Sequence, residues 1–204
     1  MALLDLVAVE PRSLAALVEG SGCSRATTHR LAGSLEIHGL LRRDTEGRYA
    51  LGVRLIGLGV AASRGFPLAA AAAPALAELR DRTGESVQLY VRRGTTRLCV
   101  AALESLHGLR TIVRPGDELT MQAGSAATIL ADDSDDQGSR WVASVGEREA
   151  GVASVSALVS DQGRVVAAVS VSGPIERTSR EPGQRYGDDV LAAARRIERD
   201  AGLR

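Results

Sequence analysis

At 204 residues the chain has room for one large hydrophobic core or two small ones. A hydrophobic fraction of 45% beside 25% charged residues excludes a disordered chain, which would be poorer in apolar side chains. Twenty-five basic residues balance 25 acidic ones, so no global positive field exists and any nucleic-acid binding must rest on local clustering.

Every basic residue is arginine, which points to a GC-rich coding genome more than to a physical requirement. Cys23 and Cys99 are far apart and have neither disulfide-framework nor metal-type spacing, as expected in a reducing cytoplasm. The first residues lack the basic start and long apolar run of a signal peptide, and no run approaches membrane-spanning length.

Leu3, Leu4 and Val7 recur at helical spacing over 2–10 until Pro11 ends the pattern. Ser13 is placed to cap a second helix with Leu14, Leu17 and Val18, closed by Gly20-Ser21-Gly22. Ser24 caps a third helix running to about His38, with Gly39 at its exit. Residues 40–43 and 48–51 flank Asp44-Thr45-Glu46-Gly47 and read as a short hairpin. A helix over Val53–Ser63 follows, Gly65-Phe66-Pro67 breaks the chain, and another helix with Leu68, Ala72, Leu76 and Leu79 runs to Thr83 before Gly84. The period then changes. Val87, Leu89 and Val91, and after a Gly94-Thr95 turn Leu98, Val100 and Ala102, alternate as paired strands would. Residues 153–159 and 164–172 bracket Asp161-Gln162-Gly163 as a second hairpin, and Val190, Ala194, Ile197 and Ala201 mark a closing helix.

At 100° per residue the third helix gathers Ser24, Thr28, Leu31 and Leu35 on a packing side, and Arg25, Ala26, His29, Arg30 and Gly33 on an exposed side. Long cationic donors among small residues suit entry into a major groove about 12 Å wide. Arg25 and Arg30 would reach phosphate or guanine, and Thr27 and His29 phosphate or base edges. Arg42, Arg43 and Arg48 of the hairpin would meet phosphate or the minor groove. A lone surface arginine is usually only a solvated charge; the ordered conjunction of helices, Gly-rich turn, basic helix face and basic hairpin is what points to a winged helix-turn-helix. His38 reads as a helix-end residue.

The stretch SRATTHRLAGSLEIHGLLRRD…GRYALG resembles the N-terminal domain of IclR-type regulators. GESVQLYVRRG, RLCVAALES, LTMQAGSAATILA, GEREAGVASVSA and VVAAVSVSGPIERTSR are similar to successive landmarks of that family's effector domain, so the resemblance covers nearly the whole chain. The wording of the last two is most similar to actinobacterial members of the NdgR and LtbR kind, which links the chain to leucine and general amino-acid metabolism. The resemblance implies an α+β chain: a winged helix-turn-helix at 1–52, a linker helix at 53–65 and a GAF-like α/β effector-binding domain at 66–204. It also implies a small organic-acid or amino-acid effector at Gly124, Ser125, Ser154, Ser170 and Ser172, with Ser144 and Met121 nearby. Two features depart from the family pattern: Ala127 stands where a Lys is common, and several helical turns are missing between Asp133 and Trp141.

The residues agree with that implied site in part. Ala123-Gly124-Ser125 opens a helical run whose free N–H groups would suit a carboxylate, and the serine pairs 154/156 and 170/172 each point one way from a strand. Serine beside alanine and valine is also an ordinary packing residue.

Two rival readings exist. Gly57-Leu58-Gly59-Val60-Ala61-Ala62 with Glu78 matches a dinucleotide-binding string, but it stands in a helical context without the strand pairing that site needs. Neither cysteine has a nearby His or charged setting, and His29, His38 and His107 lack metal-ligand spacing, so no enzyme activity and no cofactor are expected. Alternatively, the second domain only oligomerises and senses nothing. The expected partners are a palindromic DNA duplex, a small carboxylate or amino acid, and a second copy of the chain in a dimer or tetramer, formed through the Val53–Ser63 helix.

Overall fold

The computed structural model describes residues 2–65, 67–131 and 141–204. The expectation about the segment after Asp133 falls on residues 132–140, outside the described residues. The chain divides into two compact units, Met1–Phe66 and Pro67–Arg204.

In the first unit, α1 (Ala2–Val9), α2 (Leu14–Ser21) and α3 (Arg25–Ile37) precede a hairpin of β1 (Leu41–Arg43) and β2 (Tyr49–Leu51), and α4 (Arg54–Gly65) follows. Ser13 Oγ accepts the Ala16 amide proton at 3.2 Å and Ser24 Oγ that of Thr27 at 3.2 Å, so both expected caps satisfy otherwise orphaned amides. Beyond Pro11, Arg12 and Tyr49 exchange backbone hydrogen bonds of 2.9 and 2.8 Å, which adds a bridging residue to the hairpin. Leu3, Val7, Leu17, Ala32, Leu41 and Tyr49 form the buried core. Gly39 leaves α3 at φ +68°, and Gly52 passes so close that a Cβ there would collide with the Gly39 carbonyl oxygen. Only a glycine pair admits this crossing of the hairpin's two ends.

The second unit is one six-stranded antiparallel sheet between helices. In chain order it contains α5 (Leu68–Thr83), β3 (Ser86–Arg93), β4 (Thr96–Leu103), β5 (Glu118–Thr120), α6 (Ser125–Ala131), β6 (Trp141–Val145), β7 (Val152–Asp161), β8 (Arg164–Pro174), α7 (Ile175–Thr178) and α8 (Pro182–Asp200). The strand order is β5-β4-β3-β8-β7-β6. Strand alternation sends Val87, Leu89, Val155, Ala157, Val159, Val169 and Val171 to one face, where they pack with Ala72, Leu76 and Leu79 of α5 and with Val190, Ala194 and Ile197 of α8. α6 packs on β6, β7 and β8 from the other side. Two short strands, β5 and β6, go beyond the elements expected from the sequence.

Trp141 lies against α8 where Gly183 and Gly187, one helical turn apart, leave a groove; a Cβ at Gly187 would overlap the indole Nε1. At an open helix position Gly→Ala stabilises by up to about 1 kcal/mol. Gly187→Ala is instead expected to destabilise the unit by about 1–2 kcal/mol through overpacking, with Trp141 emission shifting to the red during a urea titration. A gain in stability would mean that the indole does not rest on this helix.

Candidate functional site

In the first unit α3 turns one side inward through Thr28 and Ala32, both 0% exposed, with Leu35 partly buried beside them. Arg25, Ala26, His29 and Arg30 are exposed on the opposite side, where they were expected. Leu31 differs from expectation: it is 44% exposed, because it sits at the edge of the packed face and α2 and β1 close over Thr28 and Ala32 instead. Ser24 is likewise exposed as a cap, and Gly33 is half-buried.

The remaining expected contacts sort by their partners. Thr27 is half-buried and its hydroxyl accepts from Ser24 Oγ at 3.0 Å, so it serves the cap before any ligand. Arg43 donates to the Gly47 carbonyl at 2.7 Å and to the Tyr49 hydroxyl, and its guanidinium lies 3.5 Å over the Tyr49 ring. Arg48 pairs with Asp44 at 2.8 Å and Glu46 at 3.1 Å. Both arginines therefore brace the hairpin. Arg25, Arg30 and Arg42 have no hydrogen-bond or ion-pair partner among the described residues and present their charge outward.

In the second unit the sheet register brings the expected serines together. Ser154 faces Ser172 and Ser156 faces Ser170 across β7 and β8, while Ser144 of β6 stands opposite Ser154 and Gln88 of β3 opposite Ser170. Ser125, the first residue of α6, bonds to the hydroxyls of Ser154 and Ser156 at 2.8 Å each; Ser156 donates to Ser170 at 3.0 Å, and Ser172 to Gln88 Oε1 at 3.1 Å. Gly124, Ser125, Ser154, Ser170 and Ser172 all line one cavity of about 20 Å³, room for roughly one water molecule. Met121 lies in a separate open groove with Ala127 and Glu147. Gly124 N–H donates to Glu147 Oε2 at 3.1 Å, so the amide expected to be free for a carboxylate already holds the chain's own.

Gln88, Tyr90, Arg97, Ala126 and Arg148 complete the lining and were not singled out from the sequence. Arg97 is 2% exposed and its Nε is buried without a hydrogen-bond partner. Burial, with the Arg148 charge, pulls its guanidinium below the ordinary value, and burial raises the Tyr90 phenol. The Cys99 thiol is pushed up to about 12 by burial, which leaves it protonated and unsuited to nucleophilic attack at neutral pH. The dinucleotide-like string lies wholly inside α4, and Glu78 is ion-paired with Arg196 on α8. No described helix is long and apolar enough to cross a membrane.

Residues 1–45 match the model of the IclR helix-turn-helix domain, and residues 136–199 that of the bacterial transcriptional regulator IclR C-terminal domain. Among curated relatives, the HTH-type transcriptional regulator KipR of Bacillus subtilis is 32% identical over 128 residues, 62% of this chain and 51% of that regulator's length. The transcriptional repressor IclR of Escherichia coli is 24% identical, over 96% of this chain and 85% of its own. The fold is shared by the crystal structure of an IclR homolog complexed with 4-hydroxybenzoate from Microbacterium hydrocarbonoxydans, at TM-score 0.79 and 20% identity over 98% of this chain and 97% of that one. Both terminal domains of one regulator family thus occur here in the family's order, around a fold of the family's type: the chain belongs to the IclR family of DNA-binding transcriptional regulators.

Proposed function

We propose that the chain acts as a homodimer on a palindromic operator, with Arg25, Ala26, His29 and Arg30 of α3 in the major groove and Arg42 of the hairpin on phosphate or in the minor groove. The observation that carries this is the exposed edge of α3, whose arginines have no competing partner among the described residues. Arg43 and Arg48 shape the hairpin, and Thr27 fixes the helix start. Dimerisation through α4 accounts for Val53, Ile56, Leu58 and Val60 being 47–76% exposed on and beside one helix, because a second copy would cover them.

The second unit senses a small organic acid or amino acid at the serine-lined cavity, and the regulated genes belong to amino-acid metabolism, leucine-related in particular. The carboxylate bound by the Microbacterium homolog is of the same chemical class. At about 20 Å³ the cavity holds little more than one water molecule, so binding an effector requires an enlarged arrangement with fewer hydroxyl contacts. Apparent affinity then falls by the fraction of molecules in that arrangement, and coupling to DNA requires unequal affinity for the two.

The small size of the cavity also favours a second reading, in which the domain only oligomerises. Titrating amino acids and organic acids against operator binding separates the two. An effector is expected to change operator affinity by about 5–150-fold. Unchanged affinity at saturation, with no thermal stabilisation by any acid, would leave the oligomerisation reading.

A further inference from the structure

The serine cavity contains a charge that the hydroxyls do not explain. Arg97 reaches it from β4, donating Nη1 to the carbonyl oxygens of Thr120 and, at 3.1 Å, Ala123, while its guanidinium stands 5.5 Å from the Tyr90 ring centre. These contacts hold the group in place and leave its charge uncompensated. Nε is buried without a partner, and Nη2, 3.4 Å from where a Gly124 side chain would begin, makes no hydrogen bond among the described residues. Arg148, from the loop between β6 and β7, lines the same cavity and has its nearest paired carboxylate, Glu149, 4.0 Å away. A guanidinium does not give up its proton inside a protein, so two cations share a small polar cavity and no described carboxylate is paired with Arg97. The alternative anion anchor, the Gly124 amide, is occupied by Glu147.

We propose that Arg97 anchors the effector's carboxylate, which makes the cavity selective for small monocarboxylates whose other polar groups meet Ser125, Ser154 and Ser170. This rests on the effector-binding reading given above. The planar guanidinium fork matches a carboxylate, and an incoming anion supplies the charge that burial has withheld. A neutral ligand of the same shape would leave Arg97 unpaired. The small volume favours ligands of few heavy atoms, which need to part few of the serine contacts.

The test is calorimetric titration of the full chain with pyruvate, L-leucine and 4-hydroxybenzoate, and with the matching amides. At least one acid is expected to bind about 10–100-fold more tightly than its amide, as a charge-assisted contact requires. Arg97→Gln should bring acid and amide within about threefold of each other, and Arg97→Lys should retain part of the preference. Equal binding of acid and amide to the wild-type chain would overturn the proposal and leave a charge-blind effector site. A preference that survives Arg97→Gln would overturn it by placing the carboxylate elsewhere. Binding of none of the six compounds would overturn it together with the effector reading for these classes. If Arg97→Gln does not fold, a crystal structure of the wild-type chain with the bound acid decides. Carboxylate oxygens about 3 Å from Arg97 support the assignment, and oxygens on the Gly124 amide with Glu147 displaced refute it.

Discussion

Replacing Arg25 and Arg30 together by alanine is expected to weaken specific operator binding by about 2–6 kcal/mol, the sum of two losses of about 1–3 kcal/mol each. The two side chains share no partner among the described residues, so the losses add and neither substitution disturbs the α3 core of Thr28 and Ala32. Thermal stability should therefore stay within about 0.5 kcal/mol of the wild type. The operator is obtained by selecting bound duplexes from a random pool, and affinity is then measured at several salt concentrations. An arginine on phosphate lowers the salt slope by about one when removed and weakens all sequences alike; one on a guanine edge relaxes preference at a single base pair. Arg48→Ala serves as contrast, since Arg48 is committed to Asp44 and Glu46 and its loss acts through the hairpin's shape. A folded Arg25→Ala, Arg30→Ala protein that binds the selected operator as tightly as the wild type would remove α3 from the interface.

Local chemistry made the first unit legible. Ser13, Ser24 and Gly39 act where their types dictate, at two helix starts and one left-handed exit, and the hairpin follows from a polar turn between two short runs. Partners are what a single segment does not reveal. Arg43 and Arg48 carry the same charge as Arg42, and only the hairpin pairing that brings Tyr49, Asp44 and Glu46 beside them separates braces from free cations. Leu31 shows the limit of a helical wheel, which gives a face but not the width that neighbouring elements cover.

In the second unit the i, i+2 serine spacing was readable, whereas the cross-strand register was not. That register sets Ser156 against Ser170 and makes the hydroxyls bond to one another, narrowing the cavity. Arg97 reads as a solvent-side strand residue beside Leu98. It is buried only because β5 and the turn before α6 pass over it and take its Nη1 hydrogen bonds. β5, with three residues, is too short to give a period, and β6 is five residues long.

A buried ion pair at the other end of β3 sets the largest expected stability effect. Glu85 is 2% exposed and receives both forks of Arg177, Nε to Oε1 at 2.6 Å and Nη2 to Oε2 at 2.8 Å, so the start of β3 is tied to α7 beyond β8. Gly173 makes the approach feasible, since a Cβ there would collide with Glu85 Oε2. Arg177→Met strands the carboxylate among packed side chains, and removing one partner of a buried pair costs about 3–5 kcal/mol. Because the arginine side chain is 28% exposed, water reaches that side of the pair, and a loss of about 3 kcal/mol in urea unfolding is expected. Glu85→Gln leaves Arg177 its access to solvent and should cost less. The double variant should then be more stable than Arg177→Met alone, because the stranded charge is gone while the packing is nearly kept. Should the double variant prove no better than Arg177→Met, the cost would lie in the lost arginine stem and its packing, not in the carboxylate left behind.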